Sequence, residues 1–190
     1  MEYVPMDLLR QQFEVNFFGQ VSVTQAFLPL IRRASAGRII NLCSILGRVT
    51  TPFSGPYCAS KHAMESFTDA LRLELAPWGI QVVGIEPGVI KTPIWKRVLD
   101  IMHELGEEFP PDARERYGRR FAVVQRQMVA IRDTSSPPAE VAAVIQMALT
   151  AHRPRTRYLV GKEAALTARL RWLLPDRLLY RLILQRYGLN

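Results

Sequence analysis

An α/β fold built on a parallel sheet is predicted by three observations. Short apolar runs at 38–44, 80–85 and 158–160 alternate with longer stretches whose apolar positions recur at helical spacing. The run 80–85 is β-branched and almost wholly apolar, as a strand covered on both faces should be. Strands separated by helices pair in parallel through crossovers. Only three strands are visible, about half the usual count for such a sheet. The sheet reads as incomplete.

The elements follow in order. Asp7 is a candidate N-cap, and Leu8, Phe13, Phe17, Val21, Leu28 and Ile31 continue a helix. Gly19 and Pro29 predict a bend in it, and Gly37 closes it. The run 38–44 is the first strand, and 47–56, with Pro52, Gly55 and Pro56, is a loop. A helix runs from Tyr57 to Ala76 and stops at Pro77 and Gly79. The second strand, 80–85, turns out through Pro87 and Gly88. Residues 94–133 are charged helical segments around Pro110 and Pro111. A helix begins after Pro138, with Glu140 in its first turn, and ends near Thr150; 158–160 is the last strand. Leu166, Leu170, Leu173, Leu174, Leu178, Leu182 and Ile183 then form an apolar stripe flanked by arginines, which Pro175 divides into two helices.

At 190 residues, 48% of them apolar, the chain is one domain with a real core, which excludes general disorder. Its net charge of +8 is concentrated at 151–190, where nine Arg or Lys face two acids. These basic residues are interleaved with leucines rather than stacking aromatics and carry no nucleic-acid motif, so no nucleic-acid partner is expected. Such a tail packs against the body or another subunit, or lies on an anionic membrane surface; packing is the favoured reading. Cys43 and Cys58 read as buried thiols in a reducing compartment, and the scattered His62, His103 and His152 predict no metal site. There is neither a signal-peptide pattern at 1–7 nor an apolar run of membrane-span length. The default location is the cytoplasm, with membrane association through 163–189 as the alternative.

The chemistry concentrates between Asn41 and Lys61. Residues four apart on a helix share a face, so Lys61 lies near the Tyr57 phenol. A cation there favours phenolate and lowers the tyrosine pKa toward working pH, making Tyr57 a candidate general acid/base. Ser44, at the end of a parallel strand, lies where such sheets bind ligands and can hold the same oxygen. The spacing alone is cheap, since chance supplies about 0.13 such pairs. A second one, Tyr158 and Lys162, runs along a strand where the groups need not meet. Context singles out the first pair.

Asn16 in Glu14-Val15-Asn16-Phe17-Phe18-Gly19, with Ser44, Tyr57 and Lys61, resembles the catalytic tetrad of the short-chain dehydrogenase/reductase family. Glu86-Pro87-Gly88-Val89-Ile90-Lys91-Thr92 resembles its proline-glycine motif. The resemblance implies Tyr57 as acid/base, Ser44 positioning the reacting oxygen, and Lys61 binding the nicotinamide ribose of NAD or NADP and lowering the tyrosine pKa. Asn16 would hold a relay water, and Pro87, Gly88, Ile90 and Thr92 would line the nicotinamide. Each also has a plain structural reading. Asn16 can bend a helix, Ser44 can end a strand, Pro87-Gly88 is an ordinary turn, and Thr92-Pro93 can start a helix.

The resemblance further implies a Rossmann-type doubly wound sheet, of which the first strands and the glycine-rich cofactor turn are missing. Residues 1–160 would be an incomplete catalytic domain, with 94–133 as substrate lid and 161–190 as basic amphipathic helices. The first strand's outer edge would be open, the chain poorly soluble, and its nicotinamide binding weak or nil. The expected activity interconverts an alcohol and a ketone or aldehyde on a lipophilic steroid-, retinoid- or lipid-like substrate. Homo-oligomers would form through the helices containing Asn16 and Tyr57. The alternatives are an inactive fragment serving as a dimerisation module and a peripheral membrane module.

Overall fold

The computed structural model describes residues 1–189, and the backbone but not the side chain of Lys162. Helix α1 (Met6–Phe13) passes through a π-helical stretch (Glu14–Phe18) into α2 (Gly19–Ile31). Then come β1 (Arg38–Leu42), a 3-10 turn (Ile45–Gly47), α3 (Gly55–Leu75), a second 3-10 turn (Ala76–Trp78) and β2 (Gln81–Pro87). They are followed by α4 (Ile94–Glu107), α5 (Pro111–Asp133), α6 (Pro138–Thr150), β3 (Arg157–Val160), α7 (Lys162–Leu173) and α8 (Asp176–Arg186).

The three strands form one parallel sheet in the order β1-β2-β3, with Ile39 opposite Val82 and Ile85 opposite Tyr158. This is the α/β architecture expected, and it fits part of a Rossmann-type sheet. Side chains alternate across it. Ile39 and Val82 pack with Leu71 and Leu75 of α3 and with Leu28 and Ile31 of α2. Val83, Ile85 and Val160 face the other way, onto Val144, Ile145 and Ala148 of α6. The sheet is thus covered on both faces, which explains the apolar run through β2. Among the described residues β1 pairs only with β2, so its far edge is open, as expected.

Helix α3 buries Cys58, Lys61, Met64, Glu65, Thr68, Leu71 and Leu75 along one stripe. Burying each large apolar side chain there stabilises the fold by roughly 1.5–3 kcal/mol. Gly79 ends the segment with φ 67°, a left-handed geometry that favours glycine.

Several local expectations are corrected. Asp7 is not the N-cap; Pro5 precedes the helix, which starts at Met6. The irregularity in the first helix lies at the π-helical turn around Asn16, while the helix runs on through Pro29. The first strand stops at Leu42, and α3 begins at Gly55. Segments α4 and α5 build a separate apolar cluster, in which Met102, Phe121 and Val124 meet Tyr187 and Leu189 from beyond α8. The leucine stripe of the tail is largely not a packing face within the chain, since Leu166, Leu173, Leu178 and Leu182 are exposed. Helix α8 instead buries Leu179 and packs Ile183 and Leu184 inward. In the decoy pair, the Lys162 side chain lies outside the described residues.

Candidate active site

Parallel strands deliver the residues that follow them to one edge of the sheet. Ser44 follows β1 there, and Pro87, Gly88, Ile90 and Thr92 extend β2. Ser44 is buried, and its Oγ caps the 3-10 turn by accepting from the Leu46 N–H at 3.1 Å. Tyr57 and Lys61 project from the first turns of α3, with Lys61 Nζ 6.0 Å from the centroid of the Tyr57 ring. Lys61 Nζ also donates to the Leu42 carbonyl at 3.0 Å, on the strand that carries Ser44.

Asn16 joins this group through Ser60, which sequence reasoning left unassigned. Asn16 Nδ2 donates to Ser60 Oγ at 3.1 Å, and Ser60 Oγ donates to the Tyr57 carbonyl at 2.7 Å. The π-helical turn presents Asn16, and such single turns often occur at functional sites. Ser44, Tyr57 and Lys61 therefore lie together, with Asn16 tied to the backbone of the tyrosine. On the β2 side, Gly88 N–H donates to the Val160 carbonyl at 2.9 Å. Ile90 bridges to Ser136, and its carbonyl accepts from Trp95 Nε1 at 2.8 Å. A cleft of about 400 Å³ opens beside Thr92, lined by Lys91, Trp95, Lys96 and Arg132.

The electrostatics differ from expectation at Tyr57. Burial raises its pKa, the Ser44 side chain pulls it back by hydrogen bonding, and Cys58 and Cys43 add to the rise. Lys61 is pulled down, again chiefly by burial, against the opposing pull of Cys43 and Glu65. Desolvation is thus the leading influence on Tyr57 and favours the protonated phenol.

Burial also pushes Cys43 up to about 12 and raises Cys58 and Tyr187. The four raised groups keep protons in the folded chain that the unfolded chain sheds. Their share of stability is complete below the ordinary values of 9.0 for Cys and 10.0 for Tyr, and is lost as pH rises through the folded values. Lys61, lowered by burial, acts oppositely below its ordinary value of 10.5. The urea midpoint is therefore expected to fall as pH rises from about 9 toward about 12. The double change Cys43→Ala, Cys58→Ala should flatten that fall; an unchanged slope would refute the assignment.

Sequence reasoning also missed a buried ion network beneath the site. Glu86, immediately before Pro87, is fully buried. Arg48, just after the Ser44 turn, donates from Nη2 to Glu86 Oε1 at 2.7 Å, and its Nε lies 2.6 Å from Oε2 as an ion-pair contact outside hydrogen-bond geometry. Arg157 of β3 lies 3.1 Å from both Glu86 Oε1 and Glu65 Oε2, and also pairs with Asp69. Gly84 lies opposite Arg157 in the sheet register. Burial, reinforced by Glu65, raises the Glu86 pKa, and the two arginines oppose it.

The sequence matches the family model described as short chain dehydrogenase over residues 2–101. The chain belongs to the short-chain dehydrogenase family. It is 39% identical over 176 residues to the uncharacterized oxidoreductase YusZ of Bacillus subtilis, covering 92% of this chain and 61% of that protein. It is 38% identical to retinol dehydrogenase 16 of Homo sapiens, covering 85% of this chain and 53% of that one. A crystal structure of a short chain dehydrogenase from Burkholderia cenocepacia in complex with NADP superposes with a TM-score of 0.68. The identity there is 25%, covering 93% of this chain and 61% of that one. The chain thus spans about 53–61% of the length of these short-chain dehydrogenases.

Proposed function

We propose that these residues form the nicotinamide end of an alcohol–ketone or alcohol–aldehyde oxidoreductase site. The observation that carries this is the convergence of Ser44, Tyr57 and Lys61, with Asn16 held to the tyrosine backbone through Ser60. The Lys61 ammonium and the segment Pro87–Thr92 suit a nicotinamide ribose and carboxamide, so the chain fits that end of NAD or NADP. The pyrophosphate end has no matching group here, since no two of the eleven glycines lie closer than Gly84 and Gly88. Hydride exchange is the chemistry a bound nicotinamide supplies. The chain's own part is the proton: Tyr57 gives it to a carbonyl oxygen that Ser44 steadies, and takes it back from the alcohol. The apolar α4–α5 segment and the likeness to a retinol dehydrogenase favour a lipophilic substrate.

Saturation-transfer NMR with NADP tests this. Nicotinamide and adjoining ribose protons should receive more saturation than adenine protons, with affinity weaker than micromolar, and Lys61→Ala should erase the signal. Adenine-dominated transfer, or none, would sink the reading.

A second reading has its own support. Val15, Phe18, Val23, Phe27 and Leu30 are exposed along the first helices, an apolar face suited to pairing with another subunit. A chain acting only as a pairing module would self-associate without nicotinamide contact.

A further inference from the structure

We propose that the exposed face of α7 and α8 is a docking surface for an anionic phospholipid bilayer, on grounds independent of the redox site. Helix α7 ends in Trp172 and Leu173, 85% and 64% exposed, immediately before the Leu174-Pro175 corner. On α8, Leu178 and Leu182 are exposed one turn apart, and Arg177 and Arg181 repeat one turn apart beside them. The inward side of α8 is fixed by Leu179, Ile183, Leu184 and Tyr187, so the outward side is held outward.

Charge selects the occupant. The two acids of the tail are already engaged, Glu163 by Arg186 at 2.7 Å and Asp176 by Arg171 at 2.6 Å. Arg169, Arg177 and Arg181 have no carboxylate partner among the described residues. A protein partner would have to bring carboxylates matched in position to these three guanidinium groups to offset the water stripped from them. A bilayer accepts both kinds of side chain. Leucine and tryptophan enter the headgroup–acyl boundary while the arginines stay among phosphates. The contact is peripheral, because no helix among the described residues is long and apolar enough to cross a membrane.

The test is sedimentation of the full chain with phosphatidylcholine vesicles, with and without phosphatidylserine. Binding is expected only to the phosphatidylserine vesicles and should weaken in high salt. Each arginine near the surface contributes roughly fivefold, so Arg177→Glu with Arg181→Glu should lower the partition at least about 25-fold. Trp172→Ala with Leu173→Ala should also release the chain, whereas Val23→Ser with Phe27→Ser on α2 should not. All these positions are exposed, and circular dichroism checks that the variants fold. Brominated lipid should quench the wild-type tryptophan fluorescence but not that of Trp172→Phe. No binding, equal binding to both vesicles, or binding that survives the tail changes overturns the proposal. So does self-association lost on Trp172→Ala without vesicle binding, which would assign the face to a second copy of the chain.

Discussion

Glu86→Ala is expected to destabilise the chain by about 3 kcal/mol, the low end of what removing one partner of a buried ion pair costs. Its carboxylate is fully buried, but Arg48 and Arg157 keep 34% and 26% of their side chains exposed, so water shares their charge once the partner is gone. Arg157 also retains Glu65 and Asp69. The change should be felt at the site as well as in stability. Arg48 follows the Ser44 turn and Glu86 precedes Pro87, so the pair ties the ends of β1 and β2 together. Glu86→Gln keeps an acceptor for both arginines and should cost less. Urea denaturation of the three proteins measures this, and a loss below about 1 kcal/mol for Glu86→Ala would place the network outside the stability of the fold.

Glu86 also shows where sequence reading stops. Apolar periodicity made β1, α3 and β2 legible, because each buries a face whose spacing matches its helix or strand. Within the β2 run, a single glutamate before Pro87-Gly88 looks like the point where the strand reaches water. Its burial depends on Arg48 and Arg157, which come from other elements and leave no local signal. Asn16 was found through the company it keeps with Ser44, Tyr57 and Lys61. The π-helical turn that presents it was not, since one extra residue in a turn changes no apolar period that a short window can detect. Ser60 was hidden for the opposite reason: it lies inside a motif whose tyrosine and lysine drew the reading. The tail failed differently. A leucine stripe declares an amphipathic helix but not what covers it, and here the body of the chain covers the neighbouring residues Leu179 and Tyr187 instead. The spacing of Tyr57 and Lys61 carries no trace of burial, the leading influence on the tyrosine pKa.

Tyr57→Phe is expected to lower any alcohol–carbonyl turnover by about 10²- to 10⁴-fold, the usual worth of a positioned proton donor. The substitution removes one hydroxyl from a half-buried ring and keeps the ring itself, so helix α3 and its packing stay in place. Lys61 keeps its bond to the Leu42 carbonyl and Ser60 keeps the Tyr57 backbone carbonyl, so nicotinamide contact and self-association should both survive. That separation gives the variant its value. An enzyme loses turnover and keeps binding, whereas a pairing module has no turnover to lose and behaves identically before and after the change. The direction of the reaction adds a check. Burial holds the phenol protonated, which suits donation to a carbonyl at neutral pH, while alcohol oxidation needs the phenolate. Oxidation by the unmodified chain should therefore gain from rising pH while reduction does not. In Tyr57→Phe neither direction should retain that dependence.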